Sequence, residues 1–290
     1  MADIGEIIGG YRIRSLLHPG QNSQVFEVVE PTSQRHFAMK LLLPEAAADP
    51  EQRRILFHEA EIGIALSHPN VVRIFKVHRG KENPFFIMEF FPSGSLRLRL
   101  QAKDFDFIKQ HSRKIFKQAA TGLAYMNAMG YVHRDVKPDN ILVNATGDTK
   151  IIDFAIARKI PTGLARWFHR KGKPQGTPSY MSPEQILDQL PDPRQDIYSF
   201  GCTLYELTTG RPPFRGSSVN DLLMRHFKER PAPPSAFNPD LTEEFSQFVL
   251  SMLAKKPQER PQNFHEVLIA LKKIPQIYKS VKELPEEEAG

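Results

Sequence analysis

The sequence predicts an α+β fold in two lobes, a small antiparallel β-sheet lobe with one main helix followed by a larger, mostly helical lobe. Three observations predict it. Residues 11–43 read as strands punctuated by turns. Past Pro92-Ser93-Gly94 the apolar pattern changes to the helical period. A length of 290 residues accommodates one bilobal unit or two small domains.

The elements follow in chain order. Tyr11-Arg12-Ile13, Val25-Phe26-Glu27-Val28-Val29 and His36-Phe37-Ala38-Met39-Lys40 are strand-like. A helix begins at Asp49-Pro50-Glu51, with Asp as N-cap and Pro at the first helical position, and runs to about Ser67. Two further strands span 71–77 and 85–90, and the chain then passes through Glu89–Gly94. Helical stretches fall at 95–102, 105–130, 182–187, 195–209, 218–228, 242–253 and 263–273. Past Pro275 the chain turns polar and acidic, which reads as a frayed tail. No internal repeat and no low-complexity tract is present.

The most informative stretch is Tyr131-Val132-His133-Arg134-Asp135-Val136-Lys137-Pro138-Asp139-Asn140, followed thirteen residues after Asn140 by Asp153 in Ile151-Ile152-Asp153-Phe154. This order and spacing resemble the catalytic and magnesium loops of the protein kinases. The resemblance runs over roughly 11–273. Within kinases the chain is most similar to the eukaryotic-like Ser/Thr kinases of bacteria, on His68-Pro69-Asn70-Val71-Val72, Asp196-Ile197-Tyr198-Ser199-Phe200-Gly201 and Gly210-Arg211-Pro212-Pro213-Phe214. It implies a bilobal protein kinase fold and an organisation of 1–10 as N-terminal extension, 11–273 as kinase domain and 274–290 as tail. Within the domain, 11–89 would form the small lobe, 89–94 the hinge and 95–273 the large lobe.

The resemblance also implies roles. Phosphoryl transfer asks a protein mainly for positioning and charge stabilisation. Asp135 would accept the substrate hydroxyl proton and Lys137 would reach the transferring phosphoryl group. Asn140 and Asp153 would hold Mg2+, for which Mn2+ could substitute. Lys40 would grip the ATP phosphates with Glu59 as its helix partner; Glu61 is the competitor, about 200° around the helix. His18, Gly20, Ser23 and Val25 would lie along the phosphate loop. Met88 would stand behind the adenine, with Glu89 and Phe91 in the hinge and Val25, Ala38 and Leu142 about the ring. Thr177, in Gly176-Thr177-Pro178, would bond near Asp135 and Lys137. Glu184 would pair with Arg260, and Asp196 would hold the catalytic-loop backbone. The lysine at 137 resembles the Ser/Thr-specific branch, so the substrates would be protein Ser and Thr hydroxyls.

Four departures from the family pattern stand out. His18 and Ser23 replace two phosphate-loop glycines, leaving Gly20, so weaker ATP binding is expected. Ala155 follows Asp153-Phe154 where Gly is usual; it either biases the loop inward or has no consequence. Gly63, four residues after Glu59, stands where a bulky apolar residue is usual. That predicts an under-packed helix completed by an activating partner or dimer mate, unless Ile62 or Phe57 fills the gap. No Ser or Thr lies within 163–176, and Lys173 occupies the position of the usual activating phosphate. Activity is therefore expected not to depend on phosphorylation there, and Thr162, Thr177 and Ser179 remain as candidate sites.

The net charge of +6 is local, since six basic residues and no acidic ones lie between Asp153 and Glu184. The basic segment 158–173 is either a solvated loop or a site for an acidic partner. No nucleic-acid-binding motif accompanies it. The single cysteine, Cys202, excludes an internal disulfide and suits a reducing compartment. No signal peptide or transmembrane run is evident, which predicts a cytoplasmic protein. The expected function is an ATP-dependent Ser/Thr protein kinase; the alternative is a pseudokinase-like scaffold or a partner-activated kinase of weak turnover.

Overall fold

The computed structural model of the protein describes residues 3–163 and 174–280. Most of the basic segment, including Arg166, Arg170, Lys171 and Lys173, therefore lies outside the described residues. The chain divides into two units, Met1–Ser93 with Lys150–Ala157, and Gly94–Thr149 with Arg158–Gly290.

The first unit is built on a six-stranded antiparallel sheet. Its strands are β1 (Ile7–Ile8), β2 (Tyr11–Pro19), β3 (Ser23–Val29), β4 (His36–Leu42), β5 (Ile74–His78) and β6 (Phe85–Glu89), in the order β1-β2-β3-β4-β6-β5. Alternation separates its two faces. Tyr11, Ile13, Phe26, Val28, Met39, Leu41, Phe85 and Ile87 bury one of them as a single apolar cluster. The register places Val25 opposite Lys40 and Ala38 opposite Met88, so these four share the other face. Strand β1 was not foreseen; Ile7 and Ile8 pair with Arg12 and Tyr11 across a Gly9-Gly10 turn.

Two helices, α1 (Pro44–Ala48) and α2 (Pro50–Ala65), complete this unit. The Asp49 carboxylate accepts from the Glu51 N–H and Pro50 occupies the first turn, as the N-terminal signals require. Leu56, Glu59, Ala60 and Gly63 form the buried stripe of α2 at helical spacing. Gly63 is not the gap that the sequence suggested. A Cβ there would lie 2.3 Å from Ile74 Cδ1 and 2.6 Å from its Cγ1, so the Ile74 side chain already fills the space. The premise for a partner or dimer mate at this helix is thereby removed, because packing across to β5 is a tertiary fact that the helix sequence does not carry.

The second unit begins with β7 (Gly94–Ser95), α3 (Leu96–Gln101) and the long α4 (Phe105–Ala128). The strands β8 (Tyr131–Val132) and β9 (Ile141–Val143) flank the catalytic-loop sequence, and β10 (Thr149–Ile151) leads the chain back to the first unit. Strand β11 (Arg158–Lys159) then pairs with β8. Five helices follow, α5 (Pro183–Ile186), α6 (Pro193–Thr209), α7 (Val219–Lys228), α8 (Glu243–Met252) and α9 (Phe264–Lys273). Helix α6 is buried around its whole girth from Gln195 to Thr208, which marks it as the core of this unit. Cys202 sits in it without exposure, and burial pushes its thiol well above the ordinary range. Ile277 and Tyr278, in the stretch read as a frayed tail, are buried, and Tyr278 bridges to Leu241.

Candidate active site

The site residues expected from the sequence fall into two groups, one in each unit. In the first unit β4 carries Lys40 and α2 carries Glu59. Lys40 Nζ donates to Glu59 Oε2 at 2.6 Å and lies 4.0 Å from Asp153 Oδ1. Glu61 points away and pairs with Arg79 at 2.7 Å on the surface. Burial alone would favour a neutral amine at Lys40. The carboxylates of Glu59 and Asp153 outweigh it and hold the ammonium, pushed up to about 12. Burial raises Glu59 in turn, opposed by Lys40.

Asp153 has a left-handed backbone, φ 69°, and its carboxylate accepts from the Ala155 N–H at 3.3 Å. That conformation is strained for a non-glycine residue and persists only where the surroundings impose it. Ala155 itself keeps an ordinary negative φ, so the missing glycine imposes no backbone penalty there. One residue before Glu59, His58 Nε2 bonds the Ala157 carbonyl at 2.8 Å, tying α2 to the segment that carries Asp153.

The rest of this group lies along the sheet. Val25, Ala38 and Met88 share the Lys40 face, while Glu89 takes an ion pair from Lys150 at 3.0 Å, and Phe91 lies under the same ammonium at 5.7 Å. His18 and Ser23 flank a tight turn closed by the Gly20 N–H to the Ser23 carbonyl at 3.0 Å. A Cβ on Gly20 would sit 2.5 Å from that oxygen, so the one retained glycine is the one this turn cannot replace.

In the second unit the loop after β8 holds the other group. Asp196, buried at the start of α6, accepts the backbone N–H groups of His133 and Arg134, each at 2.8 Å. Burial raises the Asp196 carboxyl, with His133 and these bonds acting against it. Arg134 is left-handed at φ 70°, and its buried guanidinium leaves Nε and Nη1 without a hydrogen-bond partner among the described residues.

Asp135 is the focus of the loop. Its Oδ1 accepts from the Thr177 N–H at 3.1 Å and the Thr177 hydroxyl at 2.8 Å. Its Oδ2 lies 2.6 Å from Lys137 Nζ and accepts from Asn140 Nδ2 at 3.0 Å. Lys137 also donates to the Thr177 hydroxyl oxygen at 2.7 Å. Four groups thus orient one carboxylate. Asn140, on the short 3₁₀ turn Pro138–Asn140, spends its amide nitrogen on the Asp135 carbonyl at 2.9 Å and carboxylate. Because the Thr177 hydroxyl is engaged by both Asp135 and Lys137, a phosphate there would dismantle this arrangement. Leu142 lies on β9, opposite Ser95 of β7.

A family model described as the protein kinase domain matches residues 11–270. The chain belongs to the protein kinase domain family. This kinase domain is similar to the serine/threonine-protein kinase PknB of Mycobacterium leprae, 33% identical over 261 residues that make up 89% of this chain and 42% of that protein. It is similar also to the probable serine/threonine-protein kinase PknB of Corynebacterium glutamicum, 33% identical over 272 residues, 91% of this chain and 42% of the relative. A third relative is the probable serine/threonine-protein kinase SCO3848 of Streptomyces coelicolor, 32% identical over 266 residues, 90% of this chain and 39% of the relative. The chain thus spans about two fifths of the length of the curated relatives it matches. Members of this family use ATP with a divalent metal ion. Among the described residues no helix of the kinase domain is long and apolar enough to cross a membrane.

Each unit carries one of the oxygen donors that the sequence reading assigns to a metal, the carboxylate of Asp153 in the first and the amide oxygen of Asn140 in the second. Both are hard oxygen ligands of the kind Mg2+ takes a few at a time beside substrate phosphates and water. No cluster of three His, Cys, Asp or Glu side chains that could form a protein-only metal cage occurs among the described residues.

One constellation gave no signal in the sequence. Arg97, on the first turn of α3, sits in a Leu-Arg-Leu-Arg-Leu run to which the sequence reading assigned no role. Its guanidinium meets Asp139, Tyr180 and Glu206.

Proposed function

We propose that this chain transfers the γ-phosphate of ATP to Ser and Thr hydroxyls of proteins, with Mg2+ as the metal and Mn2+ able to replace it. The observation that carries the reading is the Asp135 carboxylate, oriented by Thr177, Lys137 and Asn140. In the proposed mechanism a substrate hydroxyl approaches Asp135, which takes its proton as the oxygen attacks the γ-phosphorus in line and ADP leaves. Lys137 faces the charge on the transferring group. Lys40, kept cationic and aimed by Glu59, holds the α- and β-phosphates. Asp153 and Asn140 would hold the metal, which when bound would supply positive charge against the phosphates.

His18, Gly20, Ser23 and Val25 would cover the phosphates with backbone. Ala38, Met88, Glu89, Phe91 and Leu142 would receive the adenine. The reaction requires both groups of residues to act on one nucleotide. The buried lone thiol of Cys202 supports a reducing, cytoplasmic setting for this domain.

The test is transfer from labelled ATP with Mg2+ to a generic basic protein, beside Asp135→Asn. Loss of the base should lower the rate by on the order of 10²–10⁴-fold. Equal labelling by both proteins, or none by the parent, would remove the reading.

A further inference from the structure

Arg97 is held by three partners in the second unit. Its Nε donates to Asp139 Oδ2 at 3.1 Å, and Nη1 and Nη2 donate to the two Glu206 oxygens at 2.8 and 3.2 Å. Nη2 also lies 2.5 Å from the Tyr180 hydroxyl, which itself donates to Glu206. This fork-on-carboxylate geometry is specific to a guanidinium. Burial opposes the charge on Arg97, but the Glu206 bond and the surrounding groups overcome it and raise the guanidinium further. A cation in the first turn of a helix is otherwise misplaced with respect to the helix dipole. Its position is set by the carboxylates.

The cluster is attached to the proposed catalytic group on two sides. Asp139 is four residues past Asp135, within about 15 Å by chain length alone. Tyr180 is three residues past Thr177, whose hydroxyl bonds Asp135. A peptide advances about 3.3 Å per residue. If Asp135 receives the acceptor hydroxyl, the side chains two to four residues from that hydroxyl come within reach of the Asp139–Glu206 pair. Side-chain exposure supports an accessible mouth, with Asp139 44% exposed, Arg97 24% and Glu206 10%.

We propose that Arg97 is a specificity-determining residue, whose guanidinium occupies from within the chain a cation subsite that a substrate arginine or lysine would otherwise fill. The protein therefore phosphorylates hydroxyls without selecting a basic neighbour on that side. This rests on the reading of Asp135 as the base.

Ser/Thr peptides carrying one arginine at each position within four residues of the acceptor would decide it. With the parent protein the arginine should alter kcat/KM by less than roughly threefold, short of the tenfold equal to 1.4 kcal/mol. Arg97→Ala should gain roughly tenfold or more for arginine at one or two positions, and less for lysine, which cannot make the forked contact. The arginine-to-alanine peptide ratio cancels any general loss of activity. Strong arginine selection by the parent, or an unchanged ratio in Arg97→Ala, would overturn the proposal.

Two arms keep the test decisive. Asp139→Asn, at the half-exposed side chain of its turn, leaves the Arg97 charge less neutralised and should make arginine peptides poorer and glutamate peptides better; no shift counts against the proposal. Methylguanidinium at low millimolar concentration should raise the melting temperature of Arg97→Ala and not of the parent, with NaCl as control. That arm needs no turnover. If it succeeds while the parent and Asp135→Asn are equally silent, the kinase reading has failed and the subsite stands.

Discussion

A buried ion pair from each unit can be set side by side, and the two are finished to different degrees. In the second unit Arg260 meets Glu184 through two bonds, at 2.6 and 2.9 Å. Its remaining donor capacity goes to the carbonyls of Ala254, Arg194 and Lys255. All guanidinium nitrogens are engaged, and the pair has 0% and 6% side-chain exposure. Lys40, by contrast, makes one bond to Glu59 and only a loose approach to Asp153. An ammonium has three protons to donate, so Lys40 keeps capacity for a ligand. A saturated buried pair ties a scaffold together, whereas an unsaturated one holds a charge ready for something that arrives.

The comparison is sharpest in the separation of activity from stability. Lys40→Met should lower phosphate transfer on the order of 100-fold or more, the usual cost of removing a preorganised charge. Its unfolding free energy should change less than that of Arg260→Leu, because the stranded Glu59 carboxyl, already raised by burial, neutralises by taking up a proton. On the stability side the larger effect is Arg260→Leu, which should cost about 3–5 kcal/mol by stranding the Glu184 carboxylate. A chemical denaturation series on both variants would break the comparison if the ranking reversed. Replacing Glu184 and Arg260 together by apolar residues should recover much of the loss.

Gly63→Leu probes the helix that carries Glu59. The added side chain must displace Ile74, which is buried, β-branched and close along its whole length. Stability should fall by about 1–3 kcal/mol, as overpacking does, and activity should fall with it. A gain in either would restore the idea of an unfilled gap.

The smallest effect is a pH dependence beside the saturated pair. The Tyr198 ring lies 4.8 Å below the Arg260 guanidinium, and its hydroxyl bonds His226 Nδ1 at 3.0 Å. Burial, with the Lys255 ammonium adding to it, pushes this imidazole down to about 3. The unfolded chain binds a proton near pH 6.5 and the folded chain does not, so stability is full above that value and falls as pH drops towards 3. By pH 5 this group alone should remove about 2 kcal/mol. His226→Gln should flatten the melting temperature between pH 7 and 5; an unchanged slope would show that other groups set it.

Local rules made much of the fold legible. Asp49-Pro50 marked the start of α2, and the helix period separated Glu59 from Glu61, which face Lys40 and Arg79 respectively. The catalytic-loop spacing was legible because Asp135, Lys137 and Asn140 meet within one tight turn. What escaped were contacts between elements far apart in sequence. The filling of Gly63 by Ile74 spans α2 to β5. The capture of Arg97 by Glu206 spans 109 residues, and an arginine in a Leu-Arg-Leu run looks the same whether it meets water or a carboxylate. The burial of Ile277 and Tyr278 was hidden by the polar composition around them.

Cys202 offers the experimenter an unplanned gauge. It is the single cysteine of the chain and lies in the fully buried helix α6, with its thiol held protonated. Reaction with a thiol reagent requires a thiolate and access, and neither exists until α6 opens. The labelling rate of the untouched protein therefore reports the free-energy cost of opening around Cys202 in α6, without dye, tag or added chromophore in the core. It allows ligand, pH and substitution effects to be ranked on one scale, by how long a sulfur stays hidden.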